Sequence, residues 1–296
     1  MKNLLLIFFS IFCCAASSAQ TATGDYAKAR KALQHNKIDS SAWYINNARQ
    51  YFTSTNNYDS LALTLALETQ ITWEKDPVAK AIAKADSAMR VVMHRLPAKS
   101  AGRVALNSIK GSLYSGRYLF DSAAIFYNNA LKAADTLHSH LPLVILYMNL
   151  CRMEMLKENT AKADVYYNKA YRTLQAVDPA DEITLADLLI TRTQCFIVGS
   201  NYNAALQTAA QTEQLLKKNY APDNPKLAKN YGNLSSVCYY LSRYEEALMY
   251  RQKALGVYLQ NNTADIDNNS SFYVTYYNMG QLYYYLNEHS LASNYL

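Results

Sequence analysis

The side chains best placed to do chemistry are three cysteines, two closely spaced histidines and one acidic loop. Cys151, Cys195 and Cys238 follow one another at 44 and 43 residues. Such thiols could form a disulfide or hold a metal. Each falls in the first helix of a different repeat unit, at a nearly equivalent position. Equivalent positions on stacked helices lie roughly 10 Å apart, whereas bridged Cα atoms need less than about 7 Å. The expectation is three buried free thiols acting as small hydrophobes. His138 and His140 flank Ser139 with no further ligand near them in sequence, so they read as solvated loop residues. Asp265, Asp267 and Asn269 begin like a calcium loop. The required glycine is then Ser270 and the bidentate glutamate is Tyr276, which leaves a turn-forming loop. No P-loop, G-x-G-x-x-G, G-x-S-x-G or H-E-x-x-H occurs. A cysteine–histidine hydrolase would need a positioned pair, and these cysteines sit inside helices. The sequence therefore argues against an enzyme and implies no cofactor and no metal. A surface remains.

The composition allows a sizeable core: 296 residues, 50% hydrophobic, with only 8 Gly and 6 Pro to make linkers. The net charge is +6, Lys2 supplying one unit, and no Lys/Arg run reaches four, so nucleic-acid binding is not indicated. Residues 1–19 read as a secretory signal peptide. Lys2 opens it, Leu4 to Cys14 is apolar apart from Ser10, and Ala15 to Ala19 is a small-residue site cut after Ala19. The apolar run is short of the roughly 20 residues of a membrane span. Lipidation of Cys13 or Cys14 fits less well, because Phe12 and Cys13 precede them. The expected location is periplasmic or extracellular, with no membrane span elsewhere.

The positioning elements announce themselves through alanine. Ala123, Ala163, Ala205, Ala247 and Ala292 follow one another at 40, 42, 42 and 45 residues. Ala130, Ala170 and Ala254 come seven residues after three of them, and Thr212 after Ala205. Small residues recurring at this period mark stacked helical units. In the clearest unit, Tyr231, Leu234, Val237, Cys238 and Leu241 share one helical face. Ser242-Arg243-Tyr244 breaks the chain. Ala247, Leu248, Ala254, Leu255 and Tyr258 then share another face, which predicts an αα-hairpin. Trp43–Thr53 and Tyr58–Trp73 predict a further hairpin turning at Asn56-Asn57. A helix beginning at Pro77 and running to about Leu96 has no obvious partner. Asp25 to Gln34 is a short leading helix.

Asn233-Leu234, then Tyr244-Glu245-Glu246-Ala247-Leu248, then Lys253-Ala254-Leu255 resembles a tetratricopeptide repeat (TPR). The match is partial. Tyr231 stands for the family tryptophan, Ser235 for the glycine, Cys238 for the tyrosine, and Arg251 for the aromatic after the key alanine. Asn278-Met279-Gly280-x2-Tyr283 followed by Ala292 restores much of the pattern, and Tyr127 and Tyr167 follow Ala123 and Ala163 as the family requires. The 40–45-residue step is longer than the family's basic 34 and resembles the kinesin-light-chain style, with the extra length at Asp178–Asp181, Tyr220–Pro225 and Asn261–Ser271. The expected fold is an all-α, right-handed TPR α-solenoid of antiparallel hairpins. Residues 20–99 form degenerate TPR-like helices, and 100–296 an array of about five units with the last incomplete.

By that resemblance, first helices line a concave groove. An asparagine on each, here Asn149, Asn233 and Asn278, can bond a peptide backbone, because an amide both donates and accepts. Tyr239, Tyr240, Tyr284 and Tyr285 follow two turns later as expected contact residues, and Lys229 is the one cation placed to meet a carboxylate. The implied role is a non-catalytic scaffold for a peptide or partner protein. The alternative is the regulatory front of a longer exported protein carrying a CHAT-type protease or a histidine kinase, because the second helix stops soon after Ala292. A binder of glycan or polymer through the tyrosines is a third reading.

Overall fold

The computed structural model describes residues 20–35, 37–134, 140–176, 181–261 and 270–296. The expected signal peptide, His138, the Asp178–Ala180 loop and the Asp265–Asn269 segment lie outside the described residues. The described residues form fourteen helices and no strand. They are α1 (20–34), α2 (Ile38–Ser54), α3 (Tyr58–Lys75), α4 (Val78–Val92), α5 (Ala101–Ser115), α6 (Phe120–Ala134), α7 (His140–Leu156), α8 (Thr160–Gln175), α9 (Glu182–Val198), α10 (Tyr202–Asn219), α11 (Pro225–Tyr240), α12 (Tyr244–Asn261), α13 (Ser270–Tyr285) and α14 (His289–Tyr295). None of the described helices is long and apolar enough to cross a membrane. The chain forms two compact units, Met1–Asn149 and Leu150–Leu296, so α5 and α6 group with the front helices.

Six antiparallel hairpins pair α2/α3, α5/α6, α7/α8, α9/α10, α11/α12 and α13/α14, and one turn geometry serves them all. Each turn holds a residue with positive φ: Asn56, Tyr118, Glu158, Ser200, Ser242 and Asn287. The following residue donates its N–H to a carbonyl five residues back, at 2.8–3.1 Å, as in Asn57 to Phe52 and Asn201 to Phe196. This is the Schellman closure, which satisfies an orphan carbonyl at the helix end. In three hairpins the same residue also caps the next helix. Asn57, Asn159 and Asn201 accept from the N–H of Ser60, Lys162 and Ala204 at 3.2, 3.3 and 3.4 Å. In the fifth hairpin Arg243 occupies this place and pairs with Glu246 at 2.7 Å.

The alanine ladder stands five residues beyond each left-handed position. Ala123, Ala163, Ala205 and Ala247 are fully buried and Ala292 is 3% exposed. The same count from Asn56 reaches Leu61, so the α2/α3 hairpin carries a larger rung, and the close contact moves to its neighbour Ala62. Gly102 of α5 lies so near α3 that a Cβ on it would sit 2.5 Å from the Ala62 Cβ. Gly111 makes the same room for the Tyr127 ring, 2.7 Å from its would-be Cβ. Leucine at Ala247, which packs with Cys238 and Leu282, should overfill this contact. Urea unfolding should show a loss of about 1–3 kcal/mol.

Helix α4, expected to lack a partner, has two. It packs against α3 and α5 with Ala81, Ala85, Ala88 and Val92 buried along one stripe. Trp73 and Leu113 close over Ala81 and Ala85, and Lys84 bonds Glu68 of α3 at 2.6 Å. It ends at Val92, short of Leu96, which precedes Pro97 and so resists helical geometry.

Candidate functional site

Three of the expected site residues meet in an open pocket of about 290 Å³ in the second unit. Lys229, Gly232 and Asn233 come from α11, and Thr275 and Asn278 from α13. Asn224 caps α11 through the Lys226 N–H at 3.0 Å, with Pro225 at the first helical position. Leu227, Tyr231 and Leu234 bury the opposite face. That stripe turns Lys229, Gly232, Asn233 and Ser236 to the pocket. Asn233 and Asn278 each stand nine residues before the left-handed residue of their hairpin, Ser242 and Asn287. Equivalent positions on neighbouring first helices face one way, which brings these two amides together. Asn233 is 8% exposed, and its Nδ2 has no acceptor among the described residues.

Asn149 holds the same place before Glu158 but belongs to the first unit, where its Nδ2 donates to Ser108 Oγ at 3.1 Å. The four tyrosines lie outside this pocket. They gather at the turn ends of the hairpins. Tyr240 stacks on Tyr202 at 4.9 Å and Tyr285 on Tyr244 at 5.0 Å. The Tyr239 hydroxyl donates to that of Tyr285 at 3.0 Å. That bond, with some burial, pushes the Tyr239 phenol up to about 12. Tyr284, more than half exposed, leans on His289 at 5.4 Å. Four aromatics two turns beyond the asparagines thus build a second surface.

Sequence reasoning missed Arg251 and Tyr258 of α12, which complete the pocket wall. Arg251 follows its rung alanine by four residues, the slot that holds buried Tyr127 and Tyr167 in other units. A charged residue in an aromatic core slot was the available signal. Arg251 is 8% exposed, its Nε has no acceptor, and it joins no ion pair among the described residues. Burial lowers its pKa. It remains cationic at neutral pH, as an arginine does. Gly232 faces it, with Nη1 3.4 Å from where a Cβ would stand.

The three thiols are free and buried. They are not equivalent, however. Cys151 stands seven residues before its left-handed turn residue, Cys195 five and Cys238 four. A two-residue offset turns a side chain about halfway round the helix, so Cys195 faces back as Cys151 faces forward. Their sulfurs approach to 3.3 Å, nearer than the repeat spacing suggested. The shared hydrogen bond and burial push the Cys151 thiol up, while that bond and Arg192 hold Cys195 below its ordinary value. No cluster of metal-ligating residues occurs among the described residues.

No family model matches the chain, and no curated protein does. Solved structures are similar in fold. A Rap protein complexed with competence and sporulation factor superposes with TM-score 0.71 at 10% identity, over 95% of this chain and 74% of the other. NprR in complex with its cognate peptide NprX gives 0.64 at 14% identity, over 87% and 73%. A tetratricopeptide repeat protein from Parabacteroides merdae gives 0.52 at 12% identity, over 93% and 91%. At such identities the likeness speaks for architecture: the chain folds as an all-α, TPR-type helical-repeat protein.

Proposed function

We propose that this chain is a non-catalytic scaffold that binds an extended segment of a partner protein in the pocket between α11 and α13. The observation that carries this reading is the pair Asn233 and Asn278, two amides at the same repeat position on one opening, the first with a buried donor still unmatched. A peptide backbone supplies a carbonyl and an N–H at each residue, which suits such amides. The solved complex of NprR with its cognate peptide supports peptide binding by this architecture. Export, expected from residues 1–19, places the partner in the periplasm or outside the cell.

A displayed random-peptide library should yield binders to the wild type. Asn233→Ala combined with Asn278→Ala should weaken them about tenfold or more, from two lost hydrogen bonds of about 0.5–1.5 kcal/mol each. Unchanged binding by the folded double variant would remove the assignment.

A further inference from the structure

Resting on that reading, we infer that the segment bound between α11 and α13 presents a carboxylate to Arg251. Three observations lead there. Arg251 fills a core slot that two other hairpins give to tyrosine, yet no carboxylate of the described residues answers it. Burying a guanidinium without a partner is costly, and a ligand that arrives with the opposite charge offsets that cost. Gly232 leaves the guanidinium open to the pocket. The corresponding residues of two other first helices are Met148 and Ile190, ten residues before Glu158 and Ser200. A side chain of that size on Gly232 would run into Nη1, since the would-be Cβ is already at 3.4 Å. Finally, the unmatched groups are donors. Arg251 Nε and Asn233 Nδ2 both lack an acceptor. A planar guanidinium fork matches the two oxygens of a carboxylate. Either a peptide C-terminus or an Asp or Glu side chain can supply it.

The test uses the full chain and fluorescein-labelled decapeptide libraries in four forms. The libraries contain or omit Asp and Glu, and end in a free or an amidated C-terminus. Fluorescence anisotropy is read for the wild type, Arg251→Met and Arg251→Lys. The wild type should bind libraries carrying a carboxylate at least about tenfold more tightly than the acid-free, amidated one. The form that retains the preference when the other carboxylate is removed identifies its source. Arg251→Met should lose the preference, and Arg251→Lys should restore part of it. Free Arg251→Met should also melt above the wild type, because it no longer buries a lone charge. Three results would overturn the inference: equal wild-type affinity for all four libraries, a preference that survives in Arg251→Met, or a lowered melting temperature for that variant, which would mean the guanidinium already has a partner in the chain. If the wild type binds every library alike and binding still needs Asn233 and Asn278, the pocket assignment stands and only the carboxylate falls. If no library binds, both fall.

Discussion

Gly102→Ala is expected to destabilise the protein by about 1–3 kcal/mol, against the direction that helix propensity favours. Alanine is the better helix former by about 1 kcal/mol. At Gly102, however, the added methyl would stand 2.5 Å from the Ala62 Cβ and 3.0 Å from the Asp59 carbonyl oxygen. Neither atom belongs to a flexible side-chain end, so α3 and α5 must separate. Separation also lengthens the 2.8 Å bond by which Asp59 accepts the Gly102 N–H, an orphan donor in the first turn of α5. Gly256 of α12 is the control, since a Cβ there meets nothing within 4 Å. Gly256→Ala should raise stability by about 0.5–1 kcal/mol. Urea midpoints for the two variants should therefore move in opposite directions at a constant slope. A Gly102→Ala midpoint at or above the wild type would deny the close helix approach.

The second large effect is alkaline. Burial pushes the Tyr167 phenol up to about 12 even though Arg192 pulls the other way, with its guanidinium 4.6 Å from the ring. Burial also raises Tyr26, Tyr147, Tyr220 and Tyr231. The unfolded chain releases these protons near pH 10, while the folded chain keeps them. Folded pKa values above the unfolded value therefore leave stability intact below pH 10 and remove it as pH rises from there toward 12. Tyr167 alone accounts for about 2 kcal/mol after screening. Denaturant midpoints should be flat from pH 8 to 9.5 and fall steeply above pH 10. Tyr167→Phe should flatten that fall, and an identical fall in this variant would show that the phenol is not shielded.

The hairpins were legible because their cause is local and repeated. An alanine at each contact, a short turn five residues before it and a fixed period can all be counted along the chain. The front was harder to read for an equally local reason. Leu61 replaces alanine as the rung, and α4 buries three alanines and a valine that look unremarkable until α3 and α5 flank them. Asn233, Asn278 and Lys229 could be placed together from the repeat resemblance, because equivalent positions face one way. Arg251 could not, since its role depends on the space left by Gly232 in another helix. The cysteine pair slipped past for a related reason: a two-residue offset changes which way a side chain points, and sequence distance hides it.

The turns also decide how this chain can be taken apart. At Asn57, Asn159 and Asn201 a single residue closes one helix and caps the next, so a cut there strips a cap from both at once. Between two hairpins, at 220–224, Asn224 caps only the helix that follows it. The natural building block for grafting, shortening or lengthening the array is therefore the intact hairpin, and its seams lie where the hairpins meet.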